Sequence, residues 1–186
     1  MCPSRLSLRR LGMLLTTATL SWAASAAAAT PALMPVPYAI QMREGRFALR
    51  PDLAITIPRH DDARLRAGLA RALRRLEERA GLTFARTAQA QYVVSSETAS
   101  AGLVIECGGP APEIPVLGQD ESYRIDISAT QVLLRGATVH GVLHGLETLL
   151  QCLQAEPGGW SFPALTIEDR PRYAWRGLMM DVCRHW

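Results

Sequence analysis

Three side chains on residues 140–147 have the types and spacing to hold a metal ion. His140, His144 and Glu147 stand at i, i+4 and i+7, on one face of any helix that carries them. Two imidazoles and a carboxylate form a zinc-type donor set. However, the residue after the first histidine is Gly141, where a zinc protease helix needs its glutamate base. The triplet therefore reads as helix surface, and no metal or organic cofactor is implied. A second grouping, Asp181 with His185, supplies two members of a hydrolytic triad. No serine in a G-x-S-x-G setting accompanies them, and the chain has no phosphate-binding glycine loop and no Cys-x-x-Cys. The glycines of GATVHG suit close packing of a helix on a sheet better than a nucleotide.

These residues need elements to position them. Residues 38–57 alternate short β-forming runs with turn signals at Glu44-Gly45 and Pro51-Asp52, and read as two or three antiparallel strands. Asp61 and Asp62 offer N-cap chemistry to a helix that runs to Ala80 and stops at Gly81. Leu65, Leu69, Leu73 and Leu76 share its apolar face, and five arginines (Arg64, Arg71, Arg74, Arg75 and Arg79) cover the rest. That basic covering reads as a solvated surface with Glu77 and Glu78 among its partners. Further strands are expected at 92–94, 102–107, 123–128 and 131–136. A second helix is expected over 139–154, ended by Pro157-Gly158-Gly159. The fold class predicted is α+β, an antiparallel sheet with helices packed on one face. Residues 161–173, with two prolines, read as a connector, and the apolar run 177–182 reads as a strand buried on both faces, the start of a parallel (β/α)8 barrel.

The first 29 residues stand apart. Arg5, Arg9 and Arg10 precede an apolar run over 11–24 and an alanine-rich stretch with A-x-A sites ending at Ala29. This is the layout of a secretory signal peptide, and the run is shorter than the roughly 20 residues that span a bilayer. The chain carries 20 basic and 17 acidic residues. The three arginines of the signal account for the excess, so the remainder is neutral. A basic face for nucleic acid is not supported, and nothing after the signal calls for a membrane. Past the signal, Cys107, Cys152 and Cys183 are too few and too scattered for a disulfide framework or zinc site. One bridge or buried free thiols both fit.

Three stretches together resemble the family 20 glycoside hydrolases, the β-N-acetylhexosaminidases. DESYRIDI at 120–127 looks like a strand of that family's N-terminal domain. GATVHGVLHGLETLLQCL at 136–153 is similar to its helix with glycines spaced by four, then Thr and Gln; here these are Gly141, Gly145, Thr148 and Gln151. EDRPRYAWRGLMMDVCRHW at 168–186 looks like the entry to the catalytic barrel: an aromatic, Trp-Arg-Gly, an apolar run, Asp, and Arg-His-aromatic.

After the signal peptide read over 1–29, the resemblance implies an N-terminal domain over 30–163 and a connector with the first barrel strand over 164–186. The signal implies export to the periplasm or beyond the cell, and the resemblance implies a glycan with terminal N-acetylhexosamine as partner. It also implies hydrolysis with retention, in which the substrate's acetamido oxygen attacks the anomeric carbon. In the family an Asp orients that group and the adjacent Glu protonates the leaving oxygen. Neither Asp120-Glu121, ahead of a small-domain strand, nor Glu168-Asp169, in reverse order, stands in that setting. No catalytic acid is therefore named in this chain, which is expected to be inactive as a fragment. Arg176, of Trp-Arg-Gly, takes the family's role of gripping sugar hydroxyls, for which a guanidinium offers a rigid fork of donors. Asp181, Arg184 and His185 match positions that support the strand end. The rival readings are a non-catalytic carbohydrate-binding or interaction domain and a gene remnant. Oligomeric state is left open.

Overall fold

The structure is a computed structural model that describes residues 30–97 and 102–179. The expected signal segment, Asp181, Cys183, Arg184 and His185 lie outside the described residues.

The chain forms β1 (Ala39–Ala48), β2 (Ile55–Thr56), α1 (Ala63–Ala80), β3 (Gly102–Cys107), β4 (Tyr123–Ile127), β5 (Gln131–Gly136), α2 (Val139–Gln151), β6 (Gln154–Glu156) and β7 (Gly159–Asp169). One sheet runs β1-β7-β4-β5-β3-β2, with β6 paired to β7. The α+β class holds, but the sheet is mixed rather than antiparallel. β3 runs parallel to both β2 and β5, while β1, β7, β4 and β5 alternate in direction. The cause is the crossover: α1 lies between β2 and β3, and a helical connection returns the chain to the same end of the sheet, so the strands it joins are parallel.

Alternation along β4 sorts the two faces. Tyr123, Ile125 and Ile127 are buried, and Arg124 and Asp126 are half-buried on the other side. With Leu103, Ile105, Val132, Leu134, Leu165 and Ile167, the inward set meets Leu65, Leu69, Leu73 and Leu76 of α1 and Val142, Leu146 and Leu149 of α2 in one core. The outward set is a charged lattice. Asp126 accepts from Arg124 at 2.8 and 3.0 Å, from Arg135 at 3.2 Å and from Thr166 at 3.0 Å. Arg124 also pairs with Glu168, and Arg135 with Glu106.

α1 forms as its sequence directs. Asp62 caps its start by accepting from the Leu65 N–H at 2.8 Å, and Gly81, at φ +66°, turns the chain at its end. Arg71, Arg74, Arg75 and Arg79 are exposed, as a solvated covering should be, and Arg64 is half-buried. Arg64, Arg75 and Arg79 reach across to Pro112 O, Glu147 and Leu150 O, so they fasten α1 to its neighbours. Glu77 instead holds the following loop through Phe84 N–H, Arg86 and Tyr92.

Four expected elements are corrected. β1 is one strand that passes through Glu44-Gly45 as an irregularity in register, not a turn, and β2 sits at the opposite edge of the sheet. Tyr92 takes part only in an isolated bridge to Arg86. α2 ends at Gln151 with Cys152 as its cap, and Pro157-Gly158 turns the β6–β7 hairpin instead of stopping the helix. Finally, the presumed connector is β7, a strand buried from 161 to 167 between β1 and β4. The expected domain boundary at 163 therefore falls inside β7. Pro163 gives β7 the look of a connector, because proline cannot donate to a ladder and normally rules out an inner strand. It is accommodated because the β4 ladder ends at Leu165, so Pro163 has a strand partner only in β1, at Arg46.

Past β7, Gly177 to Met179 form no strand, and Leu178 and Met179 are exposed, so the expected barrel start is not seen there. The rest of that run lies outside the described residues. Among the described residues, no helix is long and apolar enough to cross a membrane. Cys107 and Cys152 are buried free thiols.

Candidate functional site

A groove of ≈ 600 Å³ lies where residues 34–36, the start of β4, the outer side of α2 and the tail at 169–176 meet. Its geometry begins with α2. Thr138 caps that helix and donates its hydroxyl to Asp120 O at 2.8 Å, pinning the helix start to the residues ahead of β4. Gly141 lets the two come together: a Cβ there would sit 2.4 Å from Ser122 O. One turn on, Gly145 faces Leu134 and the Tyr123 ring. Thr148 then meets the Tyr123 hydroxyl at 2.6 Å, and Gln151 accepts from the Met34 N–H at 2.9 Å. Each of the four motif residues of this helix thus has an assembly role.

Glu121 is the hub of the groove. Its carboxylate accepts from His144 Nε2 at 2.7 Å and from an Arg176 NH2 group at 2.6 Å, through the same oxygen. Burial opposes its ionisation, but the hydrogen bonds from Arg176 and His144 outweigh that and hold the carboxyl below its ordinary value. Arg176 also donates to Tyr173 O at 2.7 Å. Its side chain remains 44% exposed, so N–H groups of the fork still face solvent beside the exposed Tyr173.

On the floor, the Tyr123 hydroxyl bridges Thr148 and Asp169 Oδ2, the latter at 2.8 Å. Burial, and the Asp169 carboxylate beside it, push the phenol well above its usual range. The other Asp169 oxygen accepts from the Tyr38 N–H at 3.0 Å, and Arg170 lies 4.7 Å over the Tyr38 ring. One buried phenol therefore joins β4, α2 and the end of β7. Tyr123→Phe is expected to destabilise the domain by about 1.5 kcal/mol, since it strips a partner from two groups at once. Urea denaturation checks this, and a change below about 0.5 kcal/mol would be ordinary surface behaviour.

Sequence reasoning located Arg176 but not its partner. Nothing in the spacing of Glu121 and Arg176, 55 positions apart, marks them as a pair, and the same holds for Tyr123 with Asp169. Both Asp-Glu combinations turn out to be engaged in structure. Asp120 accepts from the Ser122 N–H, and Glu168 pairs with Arg124. The histidine-glutamate triplet does not converge: His140 meets Gln119 and Arg64, His144 meets Glu121, and Glu147 meets Arg75. What the groove offers is a half-exposed guanidinium with N–H groups to spare, with the exposed Tyr173 in the same lining.

Residues 30–170 match the domain described as glycosyl hydrolase family 20, domain 2. Over 71 residues the chain is 42% identical to a beta-hexosaminidase subunit beta of Entamoeba histolytica, which covers 37% of this chain and 13% of that protein. Over 68 residues it is 41% identical to a beta-N-acetylhexosaminidase of Cellulomonas fimi, covering 36% of this chain and 14% of that one. Among solved structures, a Flavobacterium johnsoniae chitobiase superposes with a TM-score of 0.70 at 37% identity, over 83% of this chain and 23% of the chitobiase. The matched part is thus a small fraction of each of these proteins.

Proposed function

The chain belongs to glycosyl hydrolase family 20, and from that premise we propose that it is the N-terminal part of a β-N-acetylhexosaminidase that removes terminal β-linked N-acetylhexosamine from glycans. The observation that carries this reading is the sequence likeness to relatives named as hexosaminidases. The reaction is retaining and substrate-assisted, with the acetamido oxygen as nucleophile and an Asp-Glu pair belonging to a following barrel. This chain contributes the domain that packs beside that barrel and the first residue to grip sugar, Arg176. Asp181, Arg184 and His185 support the strand end. The protein is exported under the direction of residues 1–29 and works in the periplasm or outside the cell. By itself the chain does not turn over substrate.

Two measurements test this. The purified chain is expected to release no chromophore from an aryl β-N-acetylglucosaminide and to show essentially no affinity for chitin oligomers. Clear oligomer binding would favour a free-standing carbohydrate-binding domain instead. In a longer protein that carries this chain ahead of a family 20 barrel, Arg176→Ala should lower kcat/KM by about tenfold or more. A fall of less than about threefold, roughly 0.7 kcal/mol, would remove Arg176 from the sugar site.

A further inference from the structure

The tail that follows β7 is held to the rest of the molecule by its arginines. The β7 ladder ends at Asp169, and residues 172–179 are exposed, Tyr173, Trp175, Leu178 and Met179 among them. No apolar side chain of that stretch is anchored in the core. Arg170 lies 4.7 Å over the Tyr38 ring, Arg172 donates to Val36 O at 3.2 Å, and Arg176 donates to Glu121 at 2.6 Å. Tyr38 and Val36 are themselves exposed, whereas the Glu121 side chain is only 14% exposed. The firm anchor is Glu121.

Glu121 is fixed independently of the tail. Thr138 donates to Asp120 O at 2.8 Å just before it, Ser122 O packs against Gly141 just after it, and His144 Nε2 lies 2.7 Å from its carboxylate. All three contacts come from α2 and its cap. Arg176 is the partner that is placed. Its NH2 group donates to Glu121 and its NH1 group to Tyr173 O at 2.7 Å, and two bonds on different nitrogens of a rigid planar group set its plane. Of the five N–H donors of a guanidinium, three then remain for a ligand, on a side chain that is 44% exposed. We propose that Glu121 is a positioning residue: it acts through Arg176, fixing that guanidinium and the tail that carries it, so that the remaining N–H groups are aimed before a ligand arrives.

Without Glu121, Arg176 keeps only Tyr173 O, a carbonyl on the same tail that moves with it. The fork then loses its reference to α2 and β4, and a ligand must order it on binding, which weakens affinity. The hold of Glu121 on Arg176 is a property of this chain alone. Its consequence for hydrolysis rests on the reading of Arg176 as the residue that grips sugar.

Trypsin tests the hold on the purified chain. The chain has no lysine, so every cut follows an arginine, and the protease must take the Arg176 side chain away from Glu121 to cut before Gly177. Cleavage then tracks the population in which the pair is open. Glu121→Ala should raise the initial rate of cleavage after Arg176 about tenfold, with Glu121→Gln in between. Cleavage after Arg71 and Arg74, inside α1, should keep its wild-type rate. An unchanged rate after Arg176, or a rise shared equally by the α1 sites, overturns the hold. If Glu121→Ala does not fold, Glu121→Gln against wild type decides.

The consequence is read in a longer protein that carries this chain ahead of a family 20 barrel. Glu121→Ala should raise KM by about threefold or more, and the double variant with Arg176→Ala should be no worse than Arg176→Ala alone, because the two act as one unit. A role in stability only would reduce active enzyme, lowering the apparent kcat and leaving KM unmoved. That result, or losses that add in the double variant, overturns the positioning role. If Arg176→Ala itself leaves kcat/KM unchanged, the sugar role of Arg176 fails, and the trypsin rates still decide the hold.

Discussion

Gly141→Ala is expected to destabilise the domain by about 2 kcal/mol, against the intrinsic preference of the helix. Alanine in place of glycine inside a helix is worth about 1 kcal/mol in its favour. The added methyl would stand 2.4 Å from Ser122 O, and within 3.3 Å of the Glu121 backbone. Both are main-chain atoms fixed by the entry to β4, so no side chain can swing aside. Overpacking of this kind costs about 1–3 kcal/mol, and more when the backbone must move, which decides the sign. The urea midpoint should fall by about 1 M. Gly158→Ala, where nothing lies within 4 Å of the new Cβ, serves as the control and should stay within about 0.5 kcal/mol. If both variants behave alike, the close approach of α2 to the sheet is not what requires glycine.

Ile125→Ala should cost more, about 4 kcal/mol. Ile125 is 0% exposed. It pairs with Leu134 of β5 on one side and Ile167 of β7 on the other, and it looks into the layer formed by the two helices. A cavity there is walled by paired strands on both flanks, so it cannot collapse. Domains of this size have about 5–15 kcal/mol in hand, so the variant should fold yet melt well below the parent. A loss under about 2 kcal/mol would mean that the strand relaxes around the void.

How much of this was legible beforehand depended on whether the cause was local. Asp62, Gly81 and the leucines of α1 act within a few residues, and that helix is found where the sequence put it. The β4–β5 hairpin was equally plain, from alternation and a short turn. β7 is hidden because its proline lies past the end of the β4 ladder, with its one strand partner in β1 more than a hundred residues away. The parallel strands were hidden because β2 is two residues long and finds its partner after a whole helix. At the site, Arg176 was named from a resemblance, and its position in the groove follows from Glu121, which no spacing rule connects to it. The outward arginines of α1 looked like solvent decoration because their acceptors, Pro112 O and Leu150 O, are backbone atoms that every residue possesses.

The two rims of the sheet have a bearing on how the unit behaves beside copies of itself. A sheet can recruit a foreign strand only where a long, regular row of open backbone groups is on offer. At one rim stands β2, two residues long and already bridged on its outer side by Ser95. At the other stands β1, longer, but with its pairing register broken between Met42 and Arg46 and with arginines at 43 and 46. Neither rim presents an uninterrupted template, so strand-by-strand polymerisation has no good starting point. That protection belongs to the domain itself and would travel with it into any protein to which it is joined.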